Sequence, residues 1–405
     1  MKKNIKISYK NFIQKEYLNL KLKKKLNNKY SKIFKKISKN LDNTKDTFHS
    51  LSDKFIFNFN IKDLSKFKKY KTIVIIGMGG SILGSEAIYS FLEKKIKKNF
   101  LFINDIDLEK IKKLKSGKDL KKTLFIIISK SGTTIETLSN SFALQIIKKK
   151  SKNVIIISEK KDNPLYVLAQ KQQLNYIEHK SYISGRYSVF SEVGMLPAYL
   201  MGLNIKKLRE NILIHFKKKN QKFLKESSIT LSSLLKTKFK NIIFFNYVPQ
   251  LTKFLYWNQQ LISESLGKSG RGFLPTISQA PKDHHSLLQL YLDGPRDKLF
   301  YIFSYEKSDD KKIYQKNLNN KLNFLNKKSL SEIKLAQKNA FIKALIKNKI
   351  PYREFKIIDF SEQTLGELFS YFILETAIIG KISGINPFNQ PAVEQVKTST
   401  KKLLA

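Results

Sequence analysis

Cysteine is absent from this 405-residue chain, which excludes disulfides, thiol catalysis and cysteine-ligated metal sites. Histidine is scarce: His49, His179, His215, His284 and His285 are the whole set. No H-x-x-x-H or related ligand spacing occurs, so no metal is expected. Arginine is rare against lysine, being confined to Arg186, Arg209, Arg271, Arg296 and Arg353. A position that keeps arginine here is expected to need its planar fork. Acidic residues number 32 against 77 basic ones, for a net charge of +45. Such an excess ordinarily points to nucleic acid or an anionic surface. Here the lysines run through the whole chain, densest over 21–36 and 110–122, and accompany abundant Asn, Ile and Phe. That bias fits AT-rich coding and solvated helix faces, so neither nucleic acid nor membrane is expected as a partner. No apolar stretch of about 18 residues is present, and the basic start lacks an apolar core, so the expected location is cytoplasmic.

Strand-like and helix-like segments alternate in what remains. Residues 1–60 read as a helical, lysine-rich N-terminal arm. Apolar runs at 72–76, 100–104, 124–128 and 154–158 are separated by helix-compatible segments, including one from 135 to 150. That is the pattern of a doubly wound parallel sheet flanked by helices. A connecting helix near 192–220 follows, and the pattern restarts with runs at 241–246, 298–304 and 354–359 and helices at 250–266 and 363–382. The expected fold is α/β: an arm (1–60), a first α/β domain (61–220) and a second (221–405) ending in a helix.

Two turns carry the chemistry. Ser129-Lys130-Ser131-Gly132-Thr133-Thr134 follows the run Leu124–Ile128 and opens a helix. Hydroxyls, a cation and free helix N–H groups at one spot suit a phosphate, although a capped helix after a buried strand would use the same residues. Upstream, Gly77-Met78-Gly79-Gly80-Ser81-Ile82-Leu83-Gly84 closes the run Thr72–Ile76. Ile82 stands where a dinucleotide fingerprint needs glycine, though Asp105 and Asp107 after the next strand keep a ribose-binding reading open. Gly267-Lys268-Ser269 ends like a phosphate-binding loop, but Ile262 replaces the required first glycine. Further along, Gln260 and Glu264 share a helix face, His284 and His285 form the single histidine pair, and a Pro-bounded turn precedes Gln390 to Lys397. A carboxylate, an imidazole and an ammonium are what proton shuffling on a sugar requires.

Six motifs, in order, resemble those of the glucose-6-phosphate isomerase family: Gly79-Gly80-Ser81, Ser129–Thr134, Gly185-Arg186-Tyr187-Ser188, Glu264–Lys268, His285-Ser286-Leu287 and Gln390–Lys397. The resemblance covers roughly residues 70–400 and departs at Leu266, Asn389 and Ala392, none of which is a proton-transfer group. It implies two sugar-isomerase domains, a homodimer with shared sites, and cofactor-free interconversion of glucose 6-phosphate and fructose 6-phosphate through a cis-enediol. By the same resemblance Glu264 is the base, Arg186 steadies the enediolate, and His285 (rather than His284) with Lys397 serves ring opening. Glu136 then orients the histidine, while Gly80, Ser81, Ser129, Lys130, Ser131, Gly132, Thr133, Thr134, Gly185, Gln260 and Gln390 bind substrate. Rival readings are a dual phosphoglucose/phosphomannose isomerase, a non-catalytic sugar-phosphate-binding module and a basic nucleic-acid-binding protein.

Overall fold

A computed structural model describes residues 5–13, 17, 20–117, 119–235, 237–307, 310–314 and 320–405. The chain forms two compact units that interleave in sequence. One consists of Phe34–Leu213, Lys253–Leu261 and Phe388–Ala405, and the other of Met1–Ile33, Ile214–Thr252 and Ile262–Pro387. This division differs from the three consecutive segments read from the sequence. Part of the reason lies at the start of the chain: the arm expected to be helical begins instead with strand β1 (Ile7–Phe12), paired antiparallel to a much later strand. Its lysine-rich surroundings obscure a short alternating pattern in which Ile7 is buried and Ser8 exposed. The helix Leu20–Asn40 does follow, burying Leu26, Tyr30, Phe34 and Ile37 at helical spacing.

The first unit holds a five-stranded sheet of β2 (Thr72–Gly77), β3 (Asn99–Ile103), β4 (Thr123–Ile128), β5 (Val154–Ser158) and β6 (Asn175–Glu178). All pairings are parallel, in the order β3-β2-β4-β5-β6. Every residue of β4 and β5 is buried, which is why both read as unbroken apolar runs: helices cover the two faces of the sheet. The chain winds outward from β2 to β3, then crosses back to β4. The carboxyl ends of β2 and β4 therefore form the switch point, with Gly77 opposite Ile128, and a crevice is expected there.

The second unit repeats the winding with β7 (Asn241–Asn246), β8 (Leu274–Gln279), β9 (Lys298–Tyr305) and β10 (Tyr352–Ile357), ordered β1-β10-β9-β7-β8. β8 is not apparent from the sequence because Pro275 interrupts it, a residue that an edge strand tolerates. The helix expected over 192–220 is broken into Glu192–Leu200 and Ile205–Glu210, separated by a turn in which Gly202 adopts φ +85°. The helix expected to reach 150 stops at Ala143.

Arg353 sits fully buried in this second core. Its guanidinium donates to Glu375 Oε1 at 2.7 Å and Oε2 at 3.2 Å, and to the Tyr371 hydroxyl at 2.6 Å. The Tyr301 ring lies 4.5 Å beneath it. β1 docks beside this network through Glu367, which accepts from Lys6 N at 2.8 Å and the Tyr9 hydroxyl at 3.2 Å. Removing one partner of such a pair strands a buried charge, so Arg353→Ala is expected to cost about 3–5 kcal/mol. Urea unfolding of the two proteins measures it, and a cost below about 1 kcal/mol would mean that Glu375 finds another partner.

Candidate active site

The first turn grows out of β2: Gly79–Ser81 form a single 3₁₀ turn, and the helix Leu83–Leu92 starts with no side-chain cap. The second grows out of β4. Thr134 occupies the N-cap of the helix Ile135–Ala143, yet its hydroxyl pairs with Ser129 Oγ at 2.8 Å and makes no cap bond. Helix N–H groups that lack a cap are an anion site, and the two helices start next to the switch point. Ser131 Oγ accepts from Thr133 N at 3.3 Å and Thr133 Oγ1 at 3.0 Å, which curls the turn. Gly132 adopts φ +66°, and a Cβ there would fall 1.7 Å from Asn163 Oδ1. Asn163 is a positioning residue that the sequence motifs do not include. It caps the next helix through Tyr166 N at 3.0 Å and grips Glu159 O at 2.9 Å. The available signal is the Asn-Pro pair at a helix start.

Lys130 is expected from the sequence to bind substrate; its ammonium donates to Ser181 O at 2.7 Å and Ile183 O at 2.9 Å and lies 3.5 Å from Glu159, which leaves its backbone N–H as the group for that role. An ammonium has three donors, so these partners engage it fully. Burial pushes its pKa down while Glu159 counters. Lys130 thus straps the segment after β6 to the turn. Beside that strap, burial, reinforced by Lys130, pushes His179 down to about 4, leaving a neutral ring. Asp105 and Asp107, which leave a ribose-binding alternative open in the sequence, have carboxylates that accept from Ile106 N at 2.8 Å and Lys110 N at 3.0 Å, as turn caps.

The glycine turn is pressed against a second backbone segment. A Cβ on Gly80 would meet Gly185 C at 2.3 Å and Arg186 N at 2.5 Å. Ser188 Oγ braces the 3₁₀ turn Gly185–Phe190 by donating to Gly185 O at 2.6 Å. Arg186, only 2% exposed, donates from Nη1 to Gln390 Oε1 at 2.9 Å and from Nη2 to Asn389 O at 3.1 Å. Ser184 Oγ holds the same stretch of chain through Phe388 O at 3.1 Å. Gln260, on the helix Thr252–Leu266, places Nε2 where a Cβ on Gly79 would come within 2.5 Å. Glu264 follows one helical turn later, about 6 Å along the axis.

The first unit therefore brings together Gly80, Ser81, Ser129, Ser131, Gly132, Thr133, Thr134, Gly185, Arg186, Gln260 and Gln390. Glu136 stands in the first turn of its helix, half-buried. The other two expected groups are His285 and Lys397. His285 belongs to the second unit, on the short helix Asp283–Ser286, and is exposed. Its neighbour His284 bonds the Tyr247 hydroxyl at 2.7 Å and stacks on Phe245, a packing role. Lys397 lies on the helix Val393–Leu404, which buries no residue, and pairs with Glu394 at 2.7 Å. Among the described residues no group of three or more His, Asp or Glu is gathered for a metal, and no helix is long and apolar enough to cross a membrane.

The close approach at Gly80 generates a test. Gly80→Ala is expected to destabilise the fold by about 1–3 kcal/mol and to weaken inorganic phosphate binding. Gly117→Ala, at a helix end with nothing within 4 Å, should leave both unchanged. Thermal melts and phosphate titrations compare them, and equal behaviour of the two variants would show that the Gly80 contact shapes neither property.

Comparison with known proteins identifies the family and the fold. The family model described as phosphoglucose isomerase matches residues 26–405. Glucose-6-phosphate isomerase of Methanocaldococcus jannaschii is 32% identical over 385 residues, covering 91% of this chain and 91% of that protein. In structure, a hypothetical protein from Thermus thermophilus superposes with TM-score 0.80 at 23% identity, covering 98% of this chain and 100% of that one. A glucose-6-phosphate isomerase from Chlamydia trachomatis superposes with TM-score 0.79 at 17% identity, covering 99% and 89%. At those identities the two structures speak to the fold alone.

Proposed function

Given that the chain belongs to the phosphoglucose isomerase family, an isomerase that interconverts glucose 6-phosphate and fructose 6-phosphate, we propose how its residues divide that reaction. The observation that carries the assignment is the meeting of two uncapped helix starts and a hydroxyl-lined turn at one switch point. Ser129, Ser131, Thr133 and Thr134, with Gly80, Ser81 and the N–H groups of both turns, hold the phosphate. Binding energy from this non-reacting end then orients C1 and C2. Gln260 and Gln390 take sugar hydroxyls.

Glu264, one turn beyond Gln260, moves the proton between C1 and C2 through a cis-enediol. Arg186 is held rigidly by Gln390 and Asn389, and a fixed donor aimed at developing negative charge is worth about 3–4 kcal/mol in a dry site. His285 and Lys397 serve ring opening, with Glu136 orienting the imidazole. Side-chain acids and bases suffice for this chemistry. Glu264→Gln is expected to keep sugar-phosphate binding and lose turnover by about 10²–10⁴-fold in a coupled assay. Retention of more than about a tenth of the rate would exclude Glu264 as the base.

A homodimer completes the proposal. The helix Val393–Leu404 exposes Val396 to 69%, Leu403 to 87% and Leu404 to 71%, an apolar row suited to burial against a second copy. His285 is then supplied to the partner's site. Mixing inactive Glu264→Gln with inactive His285→Ala is expected to restore activity, because one site of each mixed pair carries neither substitution. Proven chain exchange without recovered activity would place His285 in its own subunit's site or outside the mechanism.

A further inference from the structure

A cavity of about 700 Å³ opens in the first unit, along the outer edge of β3, and shares no lining residue with the phosphate turns. Its volume suits a small-molecule ligand. Its lining includes Glu86, 5% exposed, on the helix that follows the glycine turn. Glu86 Oε1 accepts from Asn104 Nδ2 at 3.0 Å and lies 3.5 Å from Lys253 Nζ. Oε2 is buried with no partner. Burial pushes the carboxyl pKa up, against the pull of Lys253. An acceptor left unpaired at that depth is a cost that a ligand's N–H donor would relieve.

The rest of the lining sorts by chemistry. Tyr89 packs 5.7 Å from Phe100 and 5.6 Å from Phe102, so three rings form an aromatic wall for a flat ligand. Lys110 and Lys113 project from one helix at the cavity, and Lys253 lines it from another. We propose that this cavity is a second ligand site for a purine nucleoside monophosphate. The ring stacks on the aromatic wall, its exocyclic amine draws the buried Glu86 Oε2 toward the cavity by a turn of the side chain and donates to it, and the phosphate meets Lys110 and Lys113. Glu86 follows the Gly79–Ser81 turn and Lys253 lies on the helix that carries Gln260 and Glu264, but the lining includes no residue of the proposed active site.

Titration calorimetry with adenosine monophosphate and the full chain tests this, with and without saturating fructose 6-phosphate. Saturable binding of one nucleotide per chain, unaffected by the sugar phosphate, is expected. Adenosine and ribose 5-phosphate should each bind about tenfold or more weakly, since each lacks one half of the recognition. Glu86→Ala should weaken the nucleotide by roughly ten- to a hundredfold. The exposed double variant Lys110→Ala/Lys113→Ala should do the same while leaving isomerase activity intact, and it decides the matter if Glu86→Ala does not fold. Absence of saturable binding, displacement by fructose 6-phosphate, or an unchanged affinity in the double variant overturns the proposal. Isomerase activity is read separately, so failure here does not touch the reaction assigned to the other site.

Discussion

Two backbones meeting at Gly80 and Gly185 set the geometry of the whole phosphate-binding corner. With a Cβ excluded at 2.3 Å, the glycine turn seats directly on the segment that bears Arg186. Arg186 in turn clasps Asn389 and Gln390, from the far end of the chain. Three stretches remote in sequence are thereby registered to one another, starting from a main-chain contact. Side chains in such a place would add rotamer freedom, and the precision of the corner would fall with it. The hydroxyl turn needs no such contact, because Gly77 and Ile128 lie paired on adjacent strands and carry it there.

Much of this is legible in the sequence, for a physical reason. Strands buried on both faces must be apolar throughout, so β2, β4, β5, β7 and β9 stand out as runs. β1, β6 and β8 sit at sheet edges, where one side stays unpaired and partly wet, and their patterns are short or interrupted by Pro275. The turns are legible because helix starts and glycines have local signatures. Lys130 is not, because residue type announces a charge and says nothing of which carbonyls surround it. Asn163 stays hidden on the same ground, since its role depends on a neighbour 31 residues away that happens to be Gly132. Family motifs name His285 and Lys397, whereas the described chain leaves both exposed, so their place in the site is not legible from burial.

Four of the five arginines carry a common theme, while Arg296 is exposed and does not share it. Arg209 donates to the carbonyls of Ser50, Phe190 and Ser52, and Arg271 to that of Ser383. Arg186 reaches Asn389 O and Arg353 forks onto Glu375. In each case the guanidinium reaches main-chain or carboxylate oxygens with fixed directions, which a compact ammonium on a flexible stem does not reproduce. Lysine, by contrast, lies mostly on exposed faces, where its exact placement matters little.

That contrast bears on how such a chain changes over generations. A single-base change turns the AGA and AGG arginine codons into lysine codons, and AT-rich coding favours that drift. At Arg186, Arg209, Arg271 and Arg353 the drift meets a barrier of geometry, because charge alone is an insufficient substitute. Arg296, which is exposed, lies outside that barrier.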